Sequence, residues 1–309
     1  MRDSGASVGC DQELGLQPLA LEHLPQLDVF LRRFPHSLSG YTAACLWAWN
    51  EIYRYQWALL DPQTLLICCQ LPQQEQRALL QPIGWLGEAS AERLLRALHT
   101  FDRPLRLVGV DQAFVDGHPA FAAAFAVEHD RANDNYLYWA EDLAKLSGRN
   151  YSKKRNHIAQ ALRFHQVEVE PISAANVAGC EEVMAALSGE EPGESSETYS
   201  LDEAALCAAL RSWGALGLSG VLVKAAGRPA GFSIFEEQTP DTAVVHFERA
   251  LRQFKGLYQV VNRAVAQIIL ERGYRMINRE EDLGLPGLRQ AKESYHPSGL
   301  AKALQLTLK

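Results

Sequence analysis

The spacing of apolar residues in the first half of the chain predicts a helical start followed by a meander of strands. Asp-Pro and Leu-Pro turn signals separate the runs that are rich in β-branched and aromatic residues. The predicted helices cover residues 22–33, 41–50 and 89–100, and the predicted strands cover 52–60, 64–71, 77–85, 105–110 and roughly 135–139. A strand–helix–strand order after a meander predicts an α/β layered domain.

The second half of the chain begins again with a helix and a strand. Residues 151–164 predict a helix, and the alternating run 166–171 predicts a strand that enters a second unit. Further helices are predicted at 174–187, 201–213 and 256–272, a loop at 189–200, and further strands at 220–225, 230–236, 242–250 and 274–278. We therefore predict two domains, 19–165 and 166–309, after a frayed amino-terminal segment of residues 1–18.

Length and composition indicate a globular protein with two domains. The chain has 309 residues, whereas single cores stop growing near ~250 residues. No apolar run approaches the ~20 residues of a membrane-spanning helix, so we expect a cytoplasmic protein without a transmembrane segment. The six cysteines are scattered and form no C-x-x-C pair, which favours reduced, buried thiols. No metal site is predicted.

The charge balance bears on nucleic-acid binding. A formal net charge of −7 argues against nonspecific binding to DNA or other nucleic acid. The run 145–163 is an exception, because it holds six Lys or Arg residues and no acidic residue. Two interpretations are open for this run, which includes Lys153, Lys154 and Arg155: a solvated helix face, or a surface that binds anions.

Two titratable side chains alternate on the strand predicted at 242–250. His246 and Glu248 are two residues apart, so strand geometry places them on one face. A partly buried carboxylate is tuned toward neutral pH, so the pair could bind a substrate amine or act as a general base. The alternative is an ion pair on the surface without a function.

A lysine and a glycine precede the amphipathic helix predicted at 256–272. Unpaired amide groups at the start of a helix, beside the cation of Lys255, predict a site for a pyrophosphate or a tRNA phosphate. A single glycine before a helix is more often an ordinary turn. The residues assigned to this candidate donor site are Lys255, Gly256, Leu257 and Tyr258.

The densest polar cluster follows the strand predicted at 274–278. Ligands of α/β sheets lie at the carboxyl ends of strands, so the cluster predicts substrate contacts, with a solvated loop as the alternative. Strand alternation would separate Asn278 and Glu280 from their two neighbours. Tyr295 could give a proton to a leaving group, with packing as its alternative role. The predicted substrate-binding residues are Asn278, Arg279, Glu280, Glu281, Asp282 and Lys292.

Four stretches of the chain carry a resemblance to a known family. They read LSGRNYSKKRNHI, HFERA, KGLYQVVN and INREEDLGLPGLRQAKESYHP. These strings resemble a bacterial family that is similar to the carboxy-terminal domain of phosphatidylglycerol lysyltransferase, and the likeness runs from about Phe34 to the carboxy terminus. The resemblance implies tandem GNAT-like domains with mixed central sheets flanked by helices, a fold shared with acyl-CoA N-acyltransferases and with the Fem transferases that use aminoacyl-tRNA.

The resemblance and the polar residues together predict an acyl- or aminoacyltransferase with an amine or hydroxyl acceptor. Glu248, with His246, would take the acceptor's proton, and Tyr295 would protonate the leaving group. The amides near Gly256 would hold a donor phosphate, and the block at 153–155 would contact tRNA or the donor nucleotide. Acyl-CoA and aminoacyl-tRNA both remain open as donors, and no tightly bound cofactor is predicted. The alternative is a non-catalytic ligand-binding or regulatory protein on the same scaffold.

Overall fold

Two mixed sheets organise the residues that this computed structural model describes, which are 13–72, 76–99, 106–188 and 196–309. The described strands are β1 (Gln17–Pro18), β2 (Gln56–Asp61), β3 (Thr64–Leu71), β4 (Gln76–Leu80), β5 (Ile83–Gly84), β6 (Arg106–Val110), β7 (Phe125–His129), β8 (Asn135–Trp139), β9 (Val167–Pro171), β10 (Ser219–Ala225), β11 (Arg228–Thr239), β12 (Thr242–Ala250), β13 (Met276–Asn278), β14 (Gly299–Ala301) and β15 (Leu304–Leu308). The described α-helices are α1 (Leu24–Arg33), α2 (Ala43–Ala48), α3 (Asn50–Tyr53), α4 (Glu88–His99), α5 (Gln112–Gly117), α6 (Pro119–Ala122), α7 (Ala140–Lys145), α8 (Ser152–Phe164), α9 (Ala178–Ser188), α10 (Ser196–Arg211), α11 (Trp213–Leu216), α12 (Leu257–Glu271) and α13 (Pro286–Glu293).

The chain divides into two compact units. The first comprises Met1–Asp134 together with Ala301–Lys309, and the second is Asn135–Leu300. The junction predicted between residues 165 and 166 therefore lies inside the second unit. The reason is that β8 pairs with β13, while α7 and α8 pack against α12, so all three elements belong to the second core. These pairings join residues far apart in the sequence, which a local pattern does not reveal.

The sheet of the first unit runs in the order β1-β2-β3-β4-β6-β15-β7, with β5 paired to β3. Strands β4 and β6 are parallel, and β15 lies between β6 and β7, antiparallel to both. The sequence did not predict β15. Of the segment predicted to be frayed, residues 1–12 lie outside the described part, but Gln17–Pro18 forms β1 against β2. The core of this unit includes Leu66, Leu79, Leu94 and Leu306, each 0% exposed.

The sheet of the second unit runs in the order β14-β8-β13-β12-β11-β10-β9. Strands β12 and β13 are parallel, whereas β9 to β12 form an antiparallel meander. The helix predicted at 256–272 is present as α12, which buries Val261, Val265 and Ile269. The predicted loop 189–200 is partly wrong, because α10 begins at Ser196, while 189–195 lie outside the described residues. Within the described ranges, no helix has the length and apolar character needed to cross a membrane.

Candidate functional site

Strands β12 and β13 separate at the point where the polar residues begin. They pair over only three residues, and the last pair joins Val244 to Asn278. The chain after β13 stays beside β8, because the Arg279 amide donates to the carbonyl of Tyr136 at 2.9 Å. Strand β12 instead continues along β11. A gap therefore opens beside the second half of β12, and Glu248 lies on that half.

A buried ion pair of Glu248 and Arg279 forms the centre of the site. Oε1 of Glu248 accepts a hydrogen bond from Arg279 Nη2 at 2.9 Å, and each residue is 9% exposed. The side-chain amide of Asn262 lies against both, where one orientation donates to Glu248 at 3.3 Å and the other accepts from Arg279 at 3.2 Å. Ser233 Oγ lies 3.5 Å from Glu248 Oε2. The carboxylate is therefore held by groups from β11, α12 and the loop after β13.

Three tyrosines surround the guanidinium of Arg279. Its Cζ lies 5.1 Å from the centre of the Tyr295 ring and 5.7 Å from that of Tyr138, within the range of cation–π contacts. The Tyr258 hydroxyl lies 3.5 Å from Arg279 Nη2. Burial raises the pKa of Tyr258 and of Tyr295 well above the usual value, so both phenols keep their protons at neutral pH. The site thus holds a carboxylate and two protonated phenols around one cation.

Lys292 fixes the backbone of Arg279. Its buried ammonium donates to the Arg279 carbonyl, and the Tyr138 hydroxyl donates to the carbonyl of Lys292 at 2.9 Å. Burial and the neighbouring Arg279 lower the pKa of Lys292 to about 8, and burial raises the pKa of Glu281 to about 7. Lys292 was predicted to bind substrate, but its ammonium is directed at the main chain of the site.

A β-bulge in β12 falls at His246. Phe247 pairs with Ile234, and Val245 pairs with the next residue of β11, so His246 has no partner across the strands. Side-chain alternation does not continue through a bulge. The shared face predicted for His246 and Glu248 assumed an unbroken strand, and the two side chains instead contact different groups.

The imidazole of His246 lies between two carboxylates. Its Nδ1 is 2.7 Å from Glu280 Oε1, and its Nε2 is 2.8 Å from Glu236 Oε1. Burial alone would lower the pKa of His246, but the two hydrogen bonds raise it to about 10. A protonated imidazole donates from both nitrogens, so it ties β11, β12 and the loop after β13 together and has no lone pair for the predicted role of base.

We expect the free energy of unfolding to fall as the pH rises from about 6.5 toward 10. The pKa of His246 is about 10 in the folded chain, against about 6.5 for an unfolded histidine. Its stabilisation is complete below the unfolded pKa and is lost as the pH rises through the folded value. Urea unfolding at several pH values should show a shallower decline in His246→Gln than in the wild type.

The control for this experiment is His99→Gln, because His99 is exposed on α4. This variant should keep the wild-type decline. If the free energy of unfolding declines equally in wild type and His246→Gln, a protonated His246 held between Glu236 and Glu280 is contradicted.

Two residues of the predicted substrate cluster have their polar atoms occupied within the fold. Asp282 accepts from the Tyr136 hydroxyl at 2.6 Å and from Arg289 at 2.7 and 2.9 Å. The hydrogen bonds from Arg289, and then that from Tyr136, hold the pKa of Asp282 well below its usual range. The Asn278 amide donates to side-chain oxygens on β8 and β11 at 3.0 Å each. Asp282 and Asn278 therefore hold the loop after β13 in place.

The chain changes direction directly after β13. Glu280 has a φ of +58°, in the left-handed region, and the strand ends at Asn278. The alternation predicted for 278–281 therefore does not apply. Instead, Arg279 points to Glu248, while the next residue contacts His246. Arg279 and Glu280 are adjacent in the sequence but make different contacts, because the backbone turns between them.

Gly256 lies where two helices approach each other. Its φ is +87°, and a Cβ placed there would be 2.2 Å from the carbonyl oxygen of His157 on α8. No side chain fits at that distance. The glycine that the sequence assigned to an anion site thus has a packing role, which is to let α8 lie against the start of α12.

The amide groups at the start of α12 are partly occupied. Leu257 donates its amide to the Phe254 carbonyl at 3.0 Å, and its side chain is fully buried. The amide of Tyr258 follows in the first turn, where helical amides have no acceptor within the helix. Lys255 is exposed. Of the predicted donor residues, Lys255 has an exposed side chain and Tyr258 an amide without an acceptor in the helix, whereas the Leu257 amide is used by the fold.

The structure separates the three residues of the basic block. Lys153 is exposed on α8. Arg155 donates to two carbonyl groups of the loop before α8, at 2.5 and 2.7 Å. Lys154 turns inward, donates to Ser294 Oγ at 2.7 Å and lies 3.9 Å from the centre of the Tyr295 ring. The block is therefore not one uniform surface, because each residue has its own surroundings.

Comparison with known proteins identifies the family of the chain. The model of the family described as phosphatidylglycerol lysyltransferase, C-terminal, matches residues 31–303. The chain belongs to this family. A conserved protein of unknown function from Bacteroides thetaiotaomicron is similar, with 27% identity and a TM-score of 0.86 over 96% of this chain and 100% of that chain. L-PGS from Bacillus licheniformis has a TM-score of 0.61 at 15% identity, over 91% of this chain and 90% of that chain.

Membership of the lysyltransferase family confirms the resemblance found in the sequence. A tandem GNAT protein from the clavulanic acid biosynthesis pathway shares the fold, with a TM-score of 0.50 at 11% identity, over 95% of this chain and 98% of that chain. This likeness confirms the predicted fold class of tandem GNAT-like domains with mixed sheets flanked by helices. A search of curated protein sequences gives no match.

Among the residues of the site that the sequence did not predict are Asn262 and Tyr138. Asn262 is 1% exposed within the apolar face of α12, next to Val261 and Val265. A polar residue on a buried helical face needs a partner, so its position was a usable signal. Tyr138 gave no such signal, because an aromatic residue in a strand usually packs in the core. Among the described residues, no group of three His, Cys, Asp or Glu side chains is placed to hold a metal ion.

Proposed function

We propose that this chain transfers an aminoacyl group from aminoacyl-tRNA to an amine or hydroxyl acceptor. The observation that carries the proposal is the meeting of a carboxylate, Glu248, and a protonated phenol, Tyr295, on the same buried cation, Arg279. A carboxylate and a phenol suit the two proton transfers that acyl transfer requires. The family description names lysyl transfer, which supports an aminoacyl donor over a simple acyl donor.

In the proposed reaction, the acceptor nitrogen or oxygen attacks the ester carbonyl of the donor. A bond forms between the acceptor atom and the carbonyl carbon, and the bond from that carbon to the ribose oxygen of tRNA breaks. Glu248 takes the proton of the acceptor, and Tyr295 gives a proton to the leaving oxygen. Solvent then returns the proton from Glu248 to Tyr295, so no further reactant is consumed.

Arg279 would hold the carboxylate of Glu248 in position for this role. The Arg279 guanidinium lies 2.9 Å from the Glu248 carboxylate, and Oε1 is the oxygen that it engages. Oε2 has weaker contacts, at 3.3 to 3.5 Å, so it is the oxygen that we assign to the acceptor's proton. Lys292 would act as a positioning residue, because it holds the carbonyl of Arg279.

Donor binding tests the proposal. We expect lysyl-tRNA to bind more tightly than acetyl-CoA, with contacts from the exposed cations Lys153 and Lys255 to phosphates. Filter binding should show that the double variant Lys153→Glu/Lys255→Glu weakens lysyl-tRNA binding about tenfold or more and reduces its salt dependence. Lys302→Glu, an exposed lysine in the first unit, should bind as the wild type does.

Other outcomes of the binding experiment would change the assignment. Binding of acetyl-CoA without binding of lysyl-tRNA would make acyl-CoA the donor. If neither binds below millimolar concentration, the transferase proposal fails. A panel of acceptors would follow, with phosphatidylglycerol vesicles first because the family description names this lipid.

A ligand-binding protein without catalysis is the second candidate. The observation in its favour is that Glu248 is already paired with Arg279 and that the Tyr295 hydroxyl is buried. Under this alternative, donor binding would be retained while no aminoacyl group is transferred to any acceptor of the panel. Transfer that depends on Glu248 would exclude it.

A further inference from the structure

One cation beside the site has no acidic partner. Lys154 turns from α8 toward Tyr295, and within the described part of the chain its ammonium bonds only to the Ser294 hydroxyl, at 2.7 Å. The Tyr295 ring lies below it, with 3.9 Å between the ammonium nitrogen and the ring centre. Arg279 contacts the same ring, but its charge is offset by Glu248. The charge of Lys154 is not offset in this way.

A hydroxyl without a partner lies beside this cation. Tyr295 is 2% exposed, and its oxygen makes no hydrogen bond to any described residue. An unpaired buried hydroxyl is costly in a fold, and so is a half-buried ammonium without an anion. Burial and the nearby Arg279 lower the pKa of Lys154 to about 8. Both costs would be removed by one group that accepts hydrogen bonds and carries negative charge.

We propose that Lys154, Ser294 and the Tyr295 hydroxyl form a subsite for an anionic oxygen of a carboxylate or phosphate group. The oxygen would accept from the ammonium of Lys154 and, before the transfer step, from the Tyr295 hydroxyl, whose proton then passes to the leaving oxygen. Ser294 keeps the ammonium in place. This subsite deepens the proposed transferase function and rests on it for its role, which is to hold the charged part of a substrate beside Glu248. An amino acid or peptide would supply a carboxylate, and a phospholipid or nucleotide would supply a phosphate.

Protection of Lys154 from an amine reagent tests the subsite in the wild-type chain. The chain is labelled with limiting trinitrobenzenesulfonate at pH 8 and low ionic strength, with sodium acetate or inorganic phosphate added as the probe. Mass spectrometry of the labelled peptide separates Lys154 from Lys153, which is the matched control because it is adjacent and exposed. We expect a saturable loss of Lys154 labelling at millimolar anion, while labelling of Lys153 stays constant.

Tyr295→Phe tests the second donor of the subsite. Loss of one hydrogen bond to an anion should raise the half-protecting concentration about tenfold. Because the hydroxyl has no partner within the fold, this variant should unfold at the same urea concentration as the wild type or at a higher one. A change in protection therefore reports on binding and not on folding.

Each outcome decides the proposal. Protection by acetate alone identifies a carboxylate, and protection by phosphate alone identifies a phosphate. Equal protection of Lys153 and Lys154, no protection of Lys154, or an unchanged half-protecting concentration in Tyr295→Phe would overturn the subsite. The proposed function is judged separately, because protection needs no aminoacyl-tRNA. A chain that is protected but transfers nothing keeps the subsite and loses the function.

Discussion

Arg279→Met lowers the free energy of unfolding by about 3–5 kcal/mol, because it leaves the carboxylate of Glu248 buried without its cation. Both residues of the pair are 9% exposed, so water cannot replace the lost partner. Methionine keeps much of the side-chain volume, which limits the effect of a cavity. The measurement is urea unfolding at pH 7, followed by tryptophan fluorescence and checked by circular dichroism.

The double variant Glu248→Gln/Arg279→Met is the control for this prediction. It removes both charges, so it should recover more than half of the stability that Arg279→Met loses. A loss below about 1 kcal/mol in the single variant is typical of an exposed pair and would contradict the buried ion pair. A double variant less stable than Arg279→Met would also contradict it.

Gly256→Ala should also lower the free energy of unfolding strongly, and two causes contribute: a strained backbone and overpacking against α8. A left-handed backbone costs about 1–2 kcal/mol for a residue with a Cβ, and overpacking adds about 1–3 kcal/mol. The added Cβ would lie 2.2 Å from the His157 carbonyl, so α8 must move away from the start of α12. We expect a loss of stability and an increase in the labelling of Lys154, which α8 carries.

Gly273→Ala is the matched control for Gly256→Ala. Gly273 has a φ of +92°, yet a Cβ there meets no atom within 4 Å. This variant should lose only the conformational cost of about 1–2 kcal/mol, with normal labelling of Lys154. Equal losses in the two variants would mean that the contact between Gly256 and α8 contributes nothing.

The periodic parts of the second unit were predictable from the sequence. Apolar spacing located α12 and β12, and the polar run after β13 indicated the end of the sheet where the site lies. These features depend on local periods of 3.6 and 2 residues, which a sequence displays directly. The predicted position of Glu248 in the site follows from them.

The contacts within the site could not be predicted in the same way. The bulge at His246 and the left-handed Glu280 change the direction of side chains by backbone geometry that has no marker in the sequence. Lys154 turns inward although its neighbours form a basic run, because Tyr295 and Ser294 approach it from a distant part of the chain. The observed division into units differs from the predicted boundary for the same reason, since β8 and β15 pair with strands that are distant in the sequence.

The role of Glu248 as the base is tested by the transfer of radiolabelled lysine from lysyl-tRNA in wild type, Glu248→Gln and Glu271→Gln. Glu271 is exposed at the end of α12, so its variant controls for loss of a carboxylate far from the site. We expect wild-type transfer in Glu271→Gln and a decrease of kcat/KM by about a hundredfold or more in Glu248→Gln, with lysyl-tRNA binding retained. Equal transfer by wild type and Glu248→Gln would contradict this role.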